Sequence, residues 1–230
     1  LTNTYQTISK TPLLVAMDAE WGLAMRLDST YAFPWHMTLG AIENIRTVKD
    51  VALQIAKHNK RLGVHINFAP VVDINTNPKN PIIGNRSFGQ NKIKVTEKAN
   101  AFVEAFNEVG ILSCAKHFPG HGDTDTDSHK TLPSLQFSAE RLENVELYPF
   151  KKLTQTSLSS MMVAHLNVPA LEPQNNLPTS LSKNVVSGLI KEKLNFEGLI
   201  FTDALNMKGV ANFDEPGEID LQAFLAGNDV

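Results

Sequence analysis

Short, continuously apolar runs alternate along the chain with longer stretches whose apolar residues recur every three or four positions. Leu13-Leu14-Val15-Ala16-Met17 is the first short run, closed by Asp18. Ile42, Ile45, Val48, Ala52, Ile55 and Ala56 then mark one helical face between Ile42 and Arg61. A second strand is predicted from Gly63 to Ala69, ended by Pro70. Val95, Ala99, Phe102, Val103 and Phe106 predict a helix from Ile93 to Val109, with Gly110 as its stop. Ile111 to Ala115 reads as the third strand, and a long polar loop from His117 to Pro133 follows it. Ser138 is a candidate cap for the next helix. The fourth strand spans Ser160 to Leu166. Ser182 caps a helix reaching Leu194, Gly198 to Thr202 is the fifth strand, and Ile219 to Leu225 a last helix before Gly227.

Strands that alternate with helices predict a parallel sheet covered on both faces, or a closed barrel. Runs apolar throughout suit strands buried on both sides. The expected class is α/β, a (β/α)8 TIM-type barrel. Such a barrel takes roughly 250 residues. Five strand-and-helix units in 230 residues therefore predict a barrel incomplete at both ends, with residues 1–230 as one domain. An open doubly wound sheet is the competing arrangement. The chain begins at Leu1 rather than Met, and both ends read as cut from something longer.

Composition narrows the partners. The chain is 42% hydrophobic and 20% charged, with 21 basic and 24 acidic side chains and a net charge of -3. No basic cluster points to nucleic acid, and no apolar run is long enough to span a membrane. Oligomeric state is left open. The lone Cys114, in an apolar run, reads as a small buried hydrophobe. The chain lacks GxGxxG, GxxxxGK[ST] and GxSxG, so the usual nucleotide-binding and serine-hydrolase motifs are missing.

Polar residues recur where strands end: Asp18 and Glu20, then Asp73 and Asn75, Lys116 and His117, His165, and Asp203. In parallel α/β folds this edge is where sites are built. The densest stretch runs from Lys116 to His129, with His117, His121 and His129 among Asp123, Asp125 and Asp127. It admits three readings. One is a solvated loop. A second is a metal site, although the acidic triplet lacks the Gly and Glu of a calcium loop and the spacing is not diagnostic for zinc. The third is acid–base work, in which Asp127 orients His129 and favours its imidazolium form. A proton donated there needs a carboxylate partner, and Asp203, at the tip of a buried strand, is the best candidate.

Lys116-His117-Phe118-Pro119-Gly120-His121-Gly122 with Asp127-Ser128-His129, and Phe201-Thr202-Asp203-Ala204-Leu205-Asn206-Met207, resemble glycoside hydrolase family 3. Asn85-Arg86-Ser87-Phe88-Gly89 and Pro12 to Glu20 fit the same family, in its order and over nearly the whole chain. The Asp-Ser-His sequence resembles its bacterial β-N-acetylhexosaminidase branch. The resemblance implies a retaining, exo-acting N-acetylglucosaminidase of cell-wall turnover. Asp203 matches the nucleophile and His129, assisted by Asp127, the general acid/base. Asp18, Arg86, Lys116, His117 and His165 match positions around the sugar. It implies no cofactor and no metal, a carbohydrate partner, and a bacterial cytoplasmic or periplasmic setting. β-Glucosidase, glycoside phosphorylase and a noncatalytic sugar-binding derivative are the alternatives. Asp18-Ala19-Glu20-Trp21-Gly22 departs, through Ala19 and Trp21, from the family's more usual acidic residue, glutamate, two glycines and arginine. Trp21 is expected either to stack on a sugar face or to pack on the barrel, and Asp229 either to line the site or to hold its wall.

Overall fold

The structure is a computed structural model that describes residues 2–124, 132–211, 213–215 and 217–230. Five parallel strands pair in chain order: β1 (Ala16–Met17), β2 (Ile66–Asn67), β3 (Leu112–Phe118), β4 (Ser160–Val163) and β5 (Leu199–Thr202). The sheet curls into a half-barrel, as expected for an incomplete (β/α)8 barrel. Asp229 and Val230 hydrogen-bond to Ile200 and Thr202 and so continue the curl past β5.

Alternation along each strand separates two apolar layers. Ile66, Cys114, Met162 and Phe201 point to the concave side and pack together. Ala115, Met161, Val163 and Ile200 point outward and join the larger core beneath the helices. Cys114 is buried, and burial pushes its thiol pKa up to about 12, which suits the inert role.

The principal outer helices are α1 (Thr2–Ile8), α2 (His36–Gly40), α3 (Ile45–Arg61), α4 (Lys92–Val109), α5 (Ala139–Asn144), α6 (Tyr148–Leu153), α7 (Lys208–Ala211) and α8 (Glu218–Ala226). Val48, Ala52, Ile55 and Ala56 of α3 are buried, as are Phe102 and Phe106 of α4, as their spacing predicts. Asn91 opens α4 by accepting from the Ile93 and Lys94 N–H groups, and Gly110 closes it at φ 76°. Ser138 caps α5 through the Arg141 N–H. Ser182 accepts from the Val185 N–H at 3.1 Å. The helix it opens is wound as a π-helix over Asn184–Lys193, with the Leu194 N–H reaching back five residues to Leu189. Helix α1 was not predicted. It buries no side chain, so it carries no apolar period to find.

One boundary differs in a way that matters. β3 runs through Lys116, His117 and Phe118 rather than stopping at Ala115. The stretch that follows is not a solvated loop at its start, because His117, His121 and Thr124 are buried. Two glycines make this possible. A Cβ on Gly122 would lie 2.0 Å from the Ile74 carbonyl oxygen, and one on Gly120 2.8 Å from the Glu146 Cβ. Gly122→Ala is therefore expected to destabilise the protein by more than Gly110→Ala. The latter has open space at its Cβ and costs only the left-handed backbone, about 1–2 kcal/mol. Urea unfolding of the two variants checks the order, and equal costs would contradict the close approach.

Candidate functional site

A cavity of about 840 Å³ opens at the C-terminal edge of the strands. Asp18, Arg86, Lys116, His117, His121 and Asp203, with Arg26 and Thr202, supply its polar lining. Arg26 apart, they come from the ends of β1, β3 and β5 and from the loop after β2, which explains why the strand-end pattern finds most of them.

Lys116 lies at the centre, 1% exposed. Its Nζ donates to Asp18 Oδ1 and contacts Glu20 Oε1, each at 2.8 Å. Glu20, equally buried, also takes Arg86 in a bidentate pair, Nη2 to Oε1 at 2.7 Å and Nε to Oε2 at 3.0 Å. Burial alone would raise the Glu20 pKa, but Lys116 and Arg86 hold it far below the usual carboxylate range. Burial likewise works against the Lys116 charge, and Glu20 and Asp18 overcome it and raise its pKa. Both cations are thus fixed and charged. Asp18 uses its second oxygen on Arg26 at 2.7 Å.

His117 reaches the same cavity although it is adjacent to Lys116 on one strand. The pairing explains this: Lys116 pairs with Met162 and Phe118 with the next residue, Val163. One extra residue is inserted there, and such a bulge re-aims side chains. The peptide between Lys116 and His117 is cis. His117 Nε2 lies 3.3 Å from Arg86 Nη2. A guanidinium only donates, so Nε2 accepts and Nδ1 carries the proton, given to Asp73 Oδ2 at 2.7 Å. Asp73 also accepts the His121 backbone N–H at 2.6 Å. Burial raises the Asp73 pKa, and His117 and His121 more than reverse it.

Asp203 follows β5. Its backbone N–H donates to the Val163 carbonyl at 2.8 Å, and its Oδ1 accepts the Ala204 N–H at 2.8 Å. Burial pushes its pKa up, but His117, the Ala204 N–H, His165 and Lys116 bring it below the usual value. It is an ionised carboxylate on the cavity wall.

His165 does not line this cavity. Its Nε2 donates to the Ala204 carbonyl at 3.1 Å, and its Nδ1 meets Ser180 Oγ at 2.7 Å. It therefore braces the chain beside Asp203. Trp21 both lines the cavity and stacks on Trp35, with ring centroids 4.6 Å apart. Asp229 accepts the Ile200 N–H at 2.8 Å, so it secures the wall. Asp127 and His129 lie outside the described residues. Asp123 pairs with Arg141 at 3.3 Å. No helix among the described residues is long and apolar enough to cross a membrane.

Four polar residues of the network were given no role by the sequence. Glu20 and Asp73 had the strand-end signal but no partner to confirm them. His121 had only its place in a histidine-rich run. His36 carried no signal: its Nδ1 donates to the Arg86 carbonyl at 2.8 Å, and its ring stacks on Phe88 at 4.3 Å. Its Nε2 is buried and has no partner among the described residues.

Fold and cavity together define a TIM-type barrel wall with an ion-paired pocket at its C-terminal rim, lined by Lys116, Arg86 and the Asp203 carboxylate. The chain belongs to glycosyl hydrolase family 3, whose N-terminal domain model it matches over residues 1–230. It is 37% identical to beta-hexosaminidase A of Pseudoalteromonas piscicida, across 98% of this chain and 40% of that protein. A solved family 3 beta-N-acetylglucosaminidase from Paenibacillus sp. str. FPU-7 superposes with a TM-score of 0.92 at 39% identity, over 96% of this chain and 42% of that one. The beta-glucoside phosphorylase BglX superposes at 0.95 with 26% identity, over 100% of this chain and 43% of that one. The chain spans between 40% and 66% of the length of the first curated relatives it matches.

Burial drives the pKa of both His36 and His121 down to about 4. Unfolded, each binds its proton near pH 6.5, so between pH 6.5 and 4 the unfolded chain holds more protons. Stability must then rise with pH across that window and fall on acidification, by up to about 3 kcal/mol for each histidine. The depressed carboxylates Asp18, Glu20, Asp73 and Asp203 add losses only below the ordinary carboxylate range. Unfolding free energies measured from pH 7 to 4 should start falling near 6.5. A flat profile down to pH 5 would contradict the two buried neutral rings.

Proposed function

We propose that this chain is the catalytic barrel, one domain over residues 1–230, of a retaining, exo-acting β-N-acetylglucosaminidase. Its substrates are peptidoglycan fragments or related glycans with terminal N-acetylglucosamine. The supporting observation is Asp203: an ionised carboxylate at the tip of a buried strand, sharing one cavity with Lys116, His117 and Arg86. Its Oδ1 is engaged by the Ala204 N–H, while Oδ2 has no hydrogen bond among the described residues. A beta-hexosaminidase and a beta-N-acetylglucosaminidase among the similar proteins support the same reading.

In this reading Asp203 attacks the anomeric carbon as the glycosidic bond breaks, and His129 gives its proton to the departing oxygen. A glycosyl ester on Asp203 results. His129 then takes a proton from water as that water attacks the same carbon and frees Asp203. Two inversions retain the configuration. Asp127 orients His129, as its spacing allows. Asp18, Arg86, Lys116 and His117 hold ring hydroxyls, and hydrogen bonds that tighten in the transition state lower the barrier. His165 acts through Ala204 on the placement of Asp203. The proposed setting is the bacterial cytoplasm or periplasm.

A second reading keeps the fold and replaces water with phosphate, favoured by the high superposition on a beta-glucoside phosphorylase. A neutral or cationic imidazole tolerates an incoming anion better than a carboxylate does.

The full-length protein should release phenol from a chromogenic N-acetyl-β-glucosaminide, and Asp203→Asn should abolish this. His129→Ala should cost roughly a hundredfold or more on a natural disaccharide and less on the aryl glycoside, whose leaving group needs little acid help. Unchanged turnover in either variant removes the mechanism. Product analysis with added phosphate separates the free sugar from the sugar phosphate.

A further inference from the structure

Between β2 and α4 the chain makes a loop that carries Arg86 into the cavity. Asn80 sits inside this loop, 7% exposed. Its Oδ1 accepts the Ile82 and Ile83 N–H groups at 2.9 and 2.7 Å. Its Nδ2 donates to the His121 carbonyl at 2.8 Å and to Thr124 Oγ1 at 3.2 Å. An amide side chain has two donor and two acceptor positions, and all four are used. The partners also fix which end is oxygen, because one side meets only N–H groups and the other a carbonyl.

The two ends of this amide serve different parts of the site. Ile82, held from the oxygen end, gives its carbonyl to Arg86 Nη1 at 3.3 Å, and the Ile83 carbonyl accepts the Arg86 backbone N–H at 2.7 Å. The nitrogen end holds His121 and Thr124. Asn77 adds a bond from its Nδ2 to the Thr124 carbonyl at 3.2 Å, and Thr124 Oγ1 meets His121 Nδ1 at 2.7 Å. Thr124 is only five positions before His129 in the sequence.

We propose that Asn80 is a positioning residue that couples the Arg86 loop to the start of the segment bearing His129, so that sugar binding and leaving-group protonation are set from one buried amide. This rests on the assignment of His129 as the acid/base. It adds a specific expectation: damage at the nitrogen end of Asn80 behaves as lost acid catalysis, while damage at the oxygen end behaves as weakened sugar binding.

Asn80→Asp separates the two ends. The carboxylate keeps an oxygen for Ile82 and Ile83 but sets a second oxygen against the His121 carbonyl. Asn80→Ala removes both ends. Thr124→Val removes one partner of the nitrogen end and serves as a milder second variant. Each is made in the full-length protein, checked for folding by thermal unfolding, and assayed on N-acetyl-β-glucosaminides whose leaving groups range from acidic phenols to a sugar. For Asn80→Asp and Thr124→Val, the loss of kcat should be roughly tenfold or more greater for the sugar leaving group than for the most acidic phenol, with KM near that of the parent. Asn80→Ala should show the same steepening together with a raised KM. A uniform loss for all leaving groups in both Asn80→Asp and Thr124→Val, or no loss in either, overturns the proposal. His129→Ala is run alongside. If it shows the leaving-group dependence and the Asn80 and Thr124 variants do not, Asn80 is structural only. If His129→Ala itself lacks that dependence, the assignment of the acid/base falls, and this inference falls with it.

Discussion

A lysine ammonium buried on the concave side of a barrel wall is the constraint around which the rest of the site is arranged. Removing such a charge from water costs several kcal/mol, and only close, well-oriented partners offset it. Lys116 finds them in Asp18 and Glu20, from the end of β1 and just beyond it. Glu20 in turn needs more than one cation to remain ionised, and Arg86 supplies the second. Arg86 then orders His117, His117 orders Asp73, and Asp73 takes the backbone of His121. Each link is the response to the desolvation of the one before it. Contributions come from loops after three successive strands, which lock the rim of the half-barrel in a single arrangement.

The same chain of pairs decides what the cavity presents to a ligand. Lys116 and Arg86 are held as cations, and Asp203 as an anion, by neighbours rather than by exposure to water. A site built this way does not reorganise its charges when a ligand displaces solvent, and prearranged charge is the most effective form of electrostatic assistance. His165 extends the principle through the backbone, because it fixes Ala204 and hence the peptide that meets Asp203.

The core of the fold was legible from periodicity because burial imposes it: the faces of α3 and α4 were where their patterns put them, and β3, β4 and β5 fell on their apolar runs, with β3 running on to Phe118 and β4 ending at Val163. β2 is shorter than its apolar run, two residues from Ile66 to Asn67, because the chain turns there, with the Ala69 N–H bonded back to the Asn67 carbonyl. Most of the polar lining was legible too, as residues that close strands. What escaped was pairing across distance. Lys116 and His117 read as residues just past the third strand, and their counter-charges lie too far along the chain to be seen locally. Asp18 is 98 positions away in the chain from Lys116. Glu20, Asp73 and His36 escaped for the same reason. Asn80 escaped because an asparagine before a proline signals a turn, and nothing local shows that all four of its hydrogen-bonding positions are taken.

That separation between Asp18 and Lys116 also bears on how the molecule is made. A ribosome delivers the first strand long before the third, so for a time the acidic pair at the rim exists without Lys116. Contacts between remote segments form slowly, since closing a long loop has to precede any reward. The pocket is consequently among the late features to mature on a nascent chain. Ligand-shaped chemistry arrives only after the wall that carries it has been assembled.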